Sequence, residues 1–172
     1  EPYNLGLTMV GAGLLWVGWF GFNAGSAGAA DGRAGLAMAV THIAAATGAL
    51  GWMLAEWIVR RQPSLLGLCS GLVGGLVAIT PAAGFVQPGA AAVIGLLAGL
   101  ACYWGATALK RLLGADDSLD VFGVHGVGGI VGSLLTGVFV VSRISGATGD
   151  VLTQALEVGA VTHYSAVATA LV

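Results

Sequence analysis

One histidine, His125, lies in the most distinctive stretch of the sequence, Asp120 to Gly132. Its neighbours are apolar residues and glycines, and the apolar run continues to Val141. Ionisable groups in such surroundings are rare and usually functional, because a charge is costly to place in hydrocarbon. A neutral imidazole donates one hydrogen bond, accepts another and can take up a proton near neutral pH. The stretch therefore predicts a histidine that handles a proton or a small polar substrate, with a packed structural histidine as the simpler alternative.

A second group of residues that can do chemistry lies near the N-terminus of the sequence. Its members follow one another at three- and four-residue spacing, which places them on one helix face: Trp16, Trp19, Phe22 and Ser26. Aromatic ring faces attract cations, and the Ser26 hydroxyl and the Asn23 amide beside them can replace water ligands of a small cation. The pattern favours an aromatic gate at a pore mouth, and an aromatic belt facing lipid is the alternative.

Three further sites are less specific. His42, beside Thr41, is either a second pore residue or a structural histidine satisfied by nearby threonines. His163 stands beside hydroxyl residues, so hydrogen bonding between helices explains it without a functional role. Together with His125 these two histidines would also fit a bundle that binds a cofactor through axial histidines. The Thr80-Pro81 pair either opens a helix end toward a cavity or forms a simple turn.

The elements that must position these residues are membrane helices. Hydrophobic residues make up 57% of the sequence and charged residues 8%, whereas soluble domains carry about 25% charged residues. The mean hydropathy is +0.93. The 30 glycines indicate tightly packed helices. With a net charge of -2 and no basic patch, nucleic acid is not an expected partner.

The sequence predicts an all-α integral membrane protein, a polytopic helix bundle in a single transmembrane domain. Six apolar segments approach the roughly 20 residues needed to cross a bilayer. They cover residues 4–22, 33–59, 63–79, 88–111, 120–141 and 150–172. The sequence has no initial methionine and stops within an apolar run, so it is expected to be part of a longer protein. Cys69 and Cys102 fall inside apolar segments and are expected to be buried thiols.

The helix that carries His125 has its own start signal. Asp120 is expected to cap it, because a carboxylate at this position accepts hydrogen bonds from the free amides of the first turn. Glycine recurs every three residues along it, at Gly123, Gly126, Gly129 and Gly132. One face of the helix therefore lacks side chains, which suits close packing or the wall of a narrow pore.

The loops predict the orientation of the bundle. Four of the six basic residues lie in the second and fourth connections, at Arg60, Arg61, Lys110 and Arg111. Positively charged loops face the cytoplasm, so Ser26 is expected at the external mouth and His125 in the inner half of the membrane.

Three strings of residues resemble the ammonium transporter family, Amt/MEP/Rh, and in particular its bacterial Amt branch. They are Gly18 to Ser26 (GWFGFNAGS), the block from Gly67 to Gly84 that contains Cys69-Ser70-Gly71 and Thr80-Pro81-Ala82, and Asp120 to Gly129 (DVFGVHGVGG). The resemblance implies a fold of eleven membrane helices, ten of which form two inverted repeats. This sequence resembles the second repeat and most of the last helix.

The family resemblance also implies a function and partners. It implies transport of ammonium or ammonia through a narrow apolar pore in the bacterial inner membrane, by a homotrimer without a cofactor or metal. A cytoplasmic PII-type regulatory protein is a further expected partner. A sensor of the same fold that does not transport is the alternative within the family, and the cofactor-binding bundle is the alternative outside it.

Individual roles follow from the resemblance at matching positions. Ser26 matches the serine of the external recruitment site, and Phe22 matches one of two stacked phenylalanines that close the pore. Trp19 and Thr80 match residues that line or shape the conduction path. His125 matches the second of two paired pore histidines, Val121 matches part of the inner constriction, and Asp120 matches a structural acid at the helix start. The first paired histidine and the other gate phenylalanine belong to helices that this sequence does not contain.

Overall fold

A computed structural model describes residues 4–114, 116, 117, 119–141 and 144. Within these residues the protein has five long helices and no β-strand. They are α1 (Leu5–Gly25), α2 (Gly32–Arg60), α3 (Leu65–Ile79), α4 (Pro88–Leu113) and α5 (Phe122–Phe139). Each is long and apolar enough to cross a membrane, with the turn to Ala82 included for α3. This confirms the all-α, multi-pass fold class, and the predicted segment 150–172 lies outside the described residues.

Polar side chains fix where three of these helices begin. A side-chain oxygen accepts a hydrogen bond from an amide of the first turn at Asn4 (Leu7 N), Asp31 (Ala34 N) and Ser64 (Gly67 N). Pro88 starts α4, where its missing N–H leaves no partner unsatisfied. The helix starts therefore follow from local sequence signals.

A buried carboxylate closes the turn between α2 and α3. Glu56 is 3% exposed, and its Oε2 accepts a hydrogen bond from the Ser64 amide at 2.8 Å. The Ser64 hydroxyl donates to the same carboxylate, and Arg60 lies 3.6 Å from it. Arg61 ends α2 in the left-handed conformation with φ 63°. These contacts hold the start of α3 directly against the end of α2.

The core forms where α2 packs between α3 and α4, and three glycines make this packing possible. A Cβ atom on Gly48 of α2 would lie 2.8 Å from the Cα atom of Gly75 in α3. A Cβ atom on Gly99 of α4 would meet the Gly48 carbonyl oxygen. Backbones therefore touch at this crossing, as small-residue packing in membranes allows. Fully buried apolar side chains surround it, among them Val40, Ala44, Leu72, Leu76, Ile79, Ile94 and Ala98.

The two cysteines are free and buried, which confirms that prediction. The Cys102 thiol donates to the carbonyl oxygen of Val124 at 3.4 Å, so it links α4 to α5.

The loop residues collect at two opposite ends of the bundle. At one end a cleft of about 590 Å³ is lined by Arg60, Lys110 and Arg111, which brings the basic ends of α2 and α4 together. At the other end Arg33 lies over the Phe85 ring, 5.1 Å from its centroid, and donates to the Ile144 carbonyl at 3.1 Å. This grouping of basic residues fits the orientation that the sequence predicts.

Candidate functional site

The aromatic residues of α1 are fixed to α3 by one side-chain hydrogen bond. The Trp19 Nε1–H donates to the Thr80 hydroxyl at 2.8 Å. The Trp19 and Phe22 rings meet edge to face, with centroids 6.2 Å apart and planes at 72°. The hydrogen bond to Thr80 fixes the Trp19 ring, and the Phe22 ring packs against it.

Phe22 and Ser26 form the exposed part of this group. The Phe22 side chain is 53% exposed, and Ser26 follows it one turn later at the C-terminal end of α1. The Ser26 hydroxyl donates to the Phe22 carbonyl oxygen at 2.6 Å. With its proton used in this way, the exposed oxygen keeps its lone pairs free, and it is a suitable ligand for a cation.

Thr80 is the point where α3 ends. Its hydroxyl accepts from Trp19 and donates to the Leu76 carbonyl oxygen at 2.8 Å. Pro81 has no N–H to continue the helix, and the Thr80 amide instead bonds the Val77 carbonyl at 3.3 Å. The Thr80-Pro81 pair therefore ends α3 in a turn and orients the threonine hydroxyl toward α1.

Asn23 does not belong to this exposed group, and its role as a ligand at the pore mouth stays a prediction. The side chain is 7% exposed, and its Nδ2 donates to the Thr41 hydroxyl of α2 at 3.0 Å. Thr41 in turn donates to the Ala37 carbonyl oxygen at 2.6 Å. One residue along a helix is a rotation of about 100°, since a turn has 3.6 residues, and this turns Asn23 away from Phe22 and into the bundle.

The hydrogen bond between Trp19 and Thr80 gives a first prediction. Replacing Trp19 by phenylalanine keeps a ring but removes the donor, and it is expected to lower the free energy of unfolding by about 1 kcal/mol. Thermal unfolding of the detergent-solubilised protein measures this loss. Thr80→Val should cost a similar amount, and the double variant should lose less than the sum. Additive losses would mean that the two side chains do not interact.

The second group of predicted site residues lies on α5. The first turn of α5, Phe122–Gly126, is a π-helical turn, in which each backbone hydrogen bond spans one residue more than in an α-helix. It carries His125, whose side chain is exposed on the surface of this chain. Val121, one residue before the turn, is 53% exposed. Both side chains are thus free to face further helices.

The carboxylate that caps α5 is Asp117, so the prediction that the Asp120 side chain caps this helix is wrong. Asp117 accepts from the amides of Val121 at 2.8 Å, Phe122 at 2.9 Å and Gly123 at 3.2 Å. Asp120 has the left-handed φ of 54°. Its Oδ1 accepts from the Lys110 ammonium group at 2.8 Å. The Asp120 backbone carbonyl still accepts the first helical bond, from Val124, so the start of α5 is placed correctly.

The other histidines are not part of these groups. His42 is exposed on α2 and stacks against two rings of α1, with centroid distances of 5.1 Å to Trp16 and 5.9 Å to Phe20. His163 lies outside the described residues. Among the residues that the structure describes, no three His, Cys, Asp or Glu side chains are grouped as metal ligands.

Hydrogen bonds and ring contacts thus join Trp19, Phe22, Ser26 and Thr80 into one outer group. His125 and Val121 form an inner group beside the Lys110–Asp120 ion pair, and α3 packs against both α1 and α5. Sequence reasoning missed Asp117 and the Thr41 partner of Asn23, although an aspartate just before a helix start is a known capping signal. The fold and these two groups define a multi-pass membrane protein with aromatic, hydroxyl and histidine side chains exposed on its surface.

The chain belongs to the Ammonium Transporter Family, whose family model matches residues 1–172. It is 50% identical over 150 residues to an ammonium transporter of Bacillus subtilis, with 87% of this chain and 37% of the relative covered. It is 48% identical over 178 residues to an ammonium transporter of Aquifex aeolicus, with 99% of this chain and 42% of the relative covered. The resemblance seen in the sequence motifs is confirmed.

Solved structures agree with this assignment. The crystal structure of Saccharomyces cerevisiae Mep2 matches with a TM-score of 0.81 and 38% identity, and covers 94% of this chain and 42% of that one. A structure described as a sensor Amt protein matches with a TM-score of 0.82 and 30% identity, and covers 93% of this chain and 40% of that one. The chain spans about two fifths of the length of the relatives that it matches.

Proposed function

We propose that this chain forms one half of a pore that carries ammonium or ammonia across a membrane. The observation that supports this most directly is the exposure of Phe22, Ser26 and His125 on a chain whose relatives named ammonium transporters are more than twice as long. Histidine and serine side chains exposed on a membrane-spanning chain are expected to face polar groups or further protein. The remaining helices of a full-length transporter would supply them.

The outer group suits the first step of transport. An ammonium ion loses water as it enters a narrow pore, and an uncompensated charge in hydrocarbon costs tens of kcal/mol in the idealised continuum limit. The Phe22 ring face attracts the cation, and the free lone pairs of Ser26 replace part of its water shell. Trp19 and Thr80 hold this pair in place through their hydrogen bond.

His125 serves the second step. A neutral imidazole in an apolar channel accepts a proton or a hydrogen bond from the substrate, and its other nitrogen donates to a neighbour. We propose that this neighbour is a second histidine from the other half of the transporter, so that each ring fixes the tautomer of the other. When the ion gives up its proton, the proton passes along the paired histidines, and neutral ammonia crosses the dry segment at a lower cost than the ion. Val121 narrows the pore next to the histidine.

The assembly and location follow from the family as proposals. We infer a homotrimer in the bacterial inner membrane, with the Arg60-Arg61 and Lys110-Arg111 ends in the cytoplasm, where a PII-type regulatory protein would bind. The gathering of these basic residues at one end of the bundle supports the orientation. Neither a cofactor nor a metal enters the proposed mechanism.

A sensor role is the second candidate, because a sensor Amt protein shares the fold with a TM-score of 0.82. A sensor binds ammonium at the outer group without net transport. Uptake of radiolabelled methylammonium into vesicles that contain the full-length protein separates the two functions, since only a transporter accumulates label above protein-free vesicles.

The same assay tests the outer group. Ser26→Leu removes the cation ligand and is expected to raise the KM for methylammonium about tenfold, which corresponds to about 1.4 kcal/mol of lost binding. Phe22→Ala removes the ring and should change the maximal rate through a wider or less ordered mouth.

Ser26→Thr keeps the hydroxyl and serves as the matched control, with a KM near that of the wild type. Wild-type kinetics for both Ser26→Leu and Phe22→Ala would contradict the proposed outer site.

A further inference from the structure

His125 lies on one of two π-helical turns that face each other. The first is Gly105–Leu109 in α4, and the second is Phe122–Gly126 in α5. In the second turn the Val127 amide bonds the Phe122 carbonyl, five residues earlier. A π-turn adds one residue to a helical turn and rotates every side chain on one side of it relative to the other side. Such turns are rare and often occur at functional sites.

The two π-turns touch through glycine backbones. A Cβ atom on Gly123 would lie 2.7 Å from the Ala106 amide nitrogen and 2.8 Å from the Ala106 Cα. A Cβ atom on Gly105 would lie 3.0 Å from the Gly123 carbonyl oxygen. Real Cβ atoms essentially never approach a backbone to below 3.0 Å. The contact therefore tolerates no side chain on Gly123, two residues before His125.

Polar contacts fix the register of the two turns at both ends. Lys110 directly follows the first π-turn, and its ammonium group lies 2.8 Å from the carboxylate of Asp120, just before α5. On the opposite side of the contact, the Cys102 thiol donates to the carbonyl of Val124, the residue before His125. Two polar contacts with α4 thus hold the turn that carries His125, one just before the turn and one within it.

We propose that the contact between the π-turns, made by Gly105 and Gly123 and held by the Lys110–Asp120 pair, sets the rotation and depth of the His125 ring. Gly123 and Lys110 are positioning residues, because they act on the histidine through the backbone of α5 and touch no substrate. If the π-turn relaxed to an α-turn, His125 would rotate relative to the rest of α5, and the ring would leave the pore axis. The inference rests on the proposed function of His125 in a pore.

A thiol-labelling experiment measures the position of residue 125 separately from transport. In the full-length protein, His125→Cys is treated with a small cationic thiol reagent, and its modification rate is compared with and without Gly123→Ala. A displaced site is expected to change this rate severalfold. Both cysteines of this chain are buried, and the full-length protein without His125→Cys gives the background rate.

Gly132→Ala is the matched control. A Cβ atom there would meet the Ala78 backbone of α3, so this variant also disturbs glycine packing of α5, but away from both π-turns. It should leave the modification rate unchanged. In the protein that keeps its native His125, Gly123→Ala should lower the maximal methylammonium uptake rate about tenfold at matched protein levels. Small misplacements of a reacting group cost up to about a hundredfold in rate.

Lys110→Met supplies a second variant if Gly123→Ala does not fold. It adds no atoms at the contact and removes the ion pair, and it should change the modification rate in the same direction. An unchanged rate in Lys110→Met and in any folded Gly123→Ala, or an equal change in Gly132→Ala, would overturn the positioning role. Normal uptake by His125→Ala would instead overturn the proposed function and leave the labelling result to decide the positioning role.

Discussion

Replacing His125 by alanine is expected to lower ammonium flux about five- to 150-fold. The estimate follows because a dehydrated substrate that loses a hydrogen-bond partner loses about 1–3 kcal/mol, and each 1.36 kcal/mol corresponds to a factor of ten in rate. The measurement is ammonium flux and electrical current in vesicles that contain the full-length protein, at matched protein levels. The side chain is exposed on this chain, so alanine leaves the packing of the five described helices unchanged.

His42→Ala is the matched control for this experiment. His42 is also an exposed histidine, but it lies on α2, where it packs against the rings of Trp16 and Phe20. Its replacement by alanine should leave flux near the wild-type value. Equal flux and equal current for His125→Ala and the wild type would mean that His125 only fills space between helices.

Acidic replacements of His125 separate two roles of the ring. Aspartate or glutamate keeps a group that accepts a proton, but it adds a fixed negative charge that stabilises any cation reaching it. Flux should therefore persist while selectivity for ammonium over other monovalent cations falls. A selective transporter with aspartate at this position would argue that the imidazole is not the source of selectivity.

The helical architecture was readable from the sequence because its signals are local. The lengths of the apolar segments predict the helices. Their starts are marked by Asn4 and Asp31, which cap amides of the first turn, and by Pro88, which has no N–H. Each of these signals depends only on neighbouring residues. The long strings around Ser26 and His125 identified the family for the same reason, since they are contiguous. The exposure of both residues on this chain required the structure.

The sequence did not show which polar side chains have partners on other helices. Asp117 and Asp120 are both suited to cap α5, and the choice depends on Lys110, which binds Asp120 from another helix. Asn23 and Phe22 are adjacent, and Thr41 of α2 draws the asparagine amide inward. In each case the deciding partner comes from a different helix, and no local pattern contains this information.

The π-turns were unpredictable for a related reason. Sequence periodicity near 3.6 residues does not mark a single widened turn in a glycine-rich segment, because glycines carry no side chain to report the helix face. The recurrence of glycine every three residues from Gly123 predicted close packing, and Gly123 and Gly132 do lie against backbones of α4 and α3. Gly129 has open space around it in this chain, so the repeat is not one continuous contact face.

The crossing of α2 with α3 and α4 carries the largest expected effect on stability. Gly48→Ala places a methyl group 2.5 Å from the Gly71 carbonyl oxygen and 2.8 Å from the Gly75 Cα, and both atoms are backbone. To relieve this clash, α2 and α3 must move apart, which opens the core around Leu72 and Leu76. Overpacking of this kind costs about 1–3 kcal/mol and exceeds the gain of about 1 kcal/mol from the higher helix propensity of alanine.

Thermal unfolding of the detergent-solubilised full-length protein tests this expectation, with Gly35→Ala as the matched control. Gly35 lies on the same helix, and nothing lies within 4 Å of a Cβ atom built on it. Gly35→Ala raises the helix propensity without a clash, so its unfolding midpoint should stay at or above the wild-type value. The midpoint of Gly48→Ala should fall by several degrees. If Gly48→Ala unfolded at the same temperature as Gly35→Ala, the helices could separate at little cost. The backbone contact at Gly48 would then not hold α2 between α3 and α4.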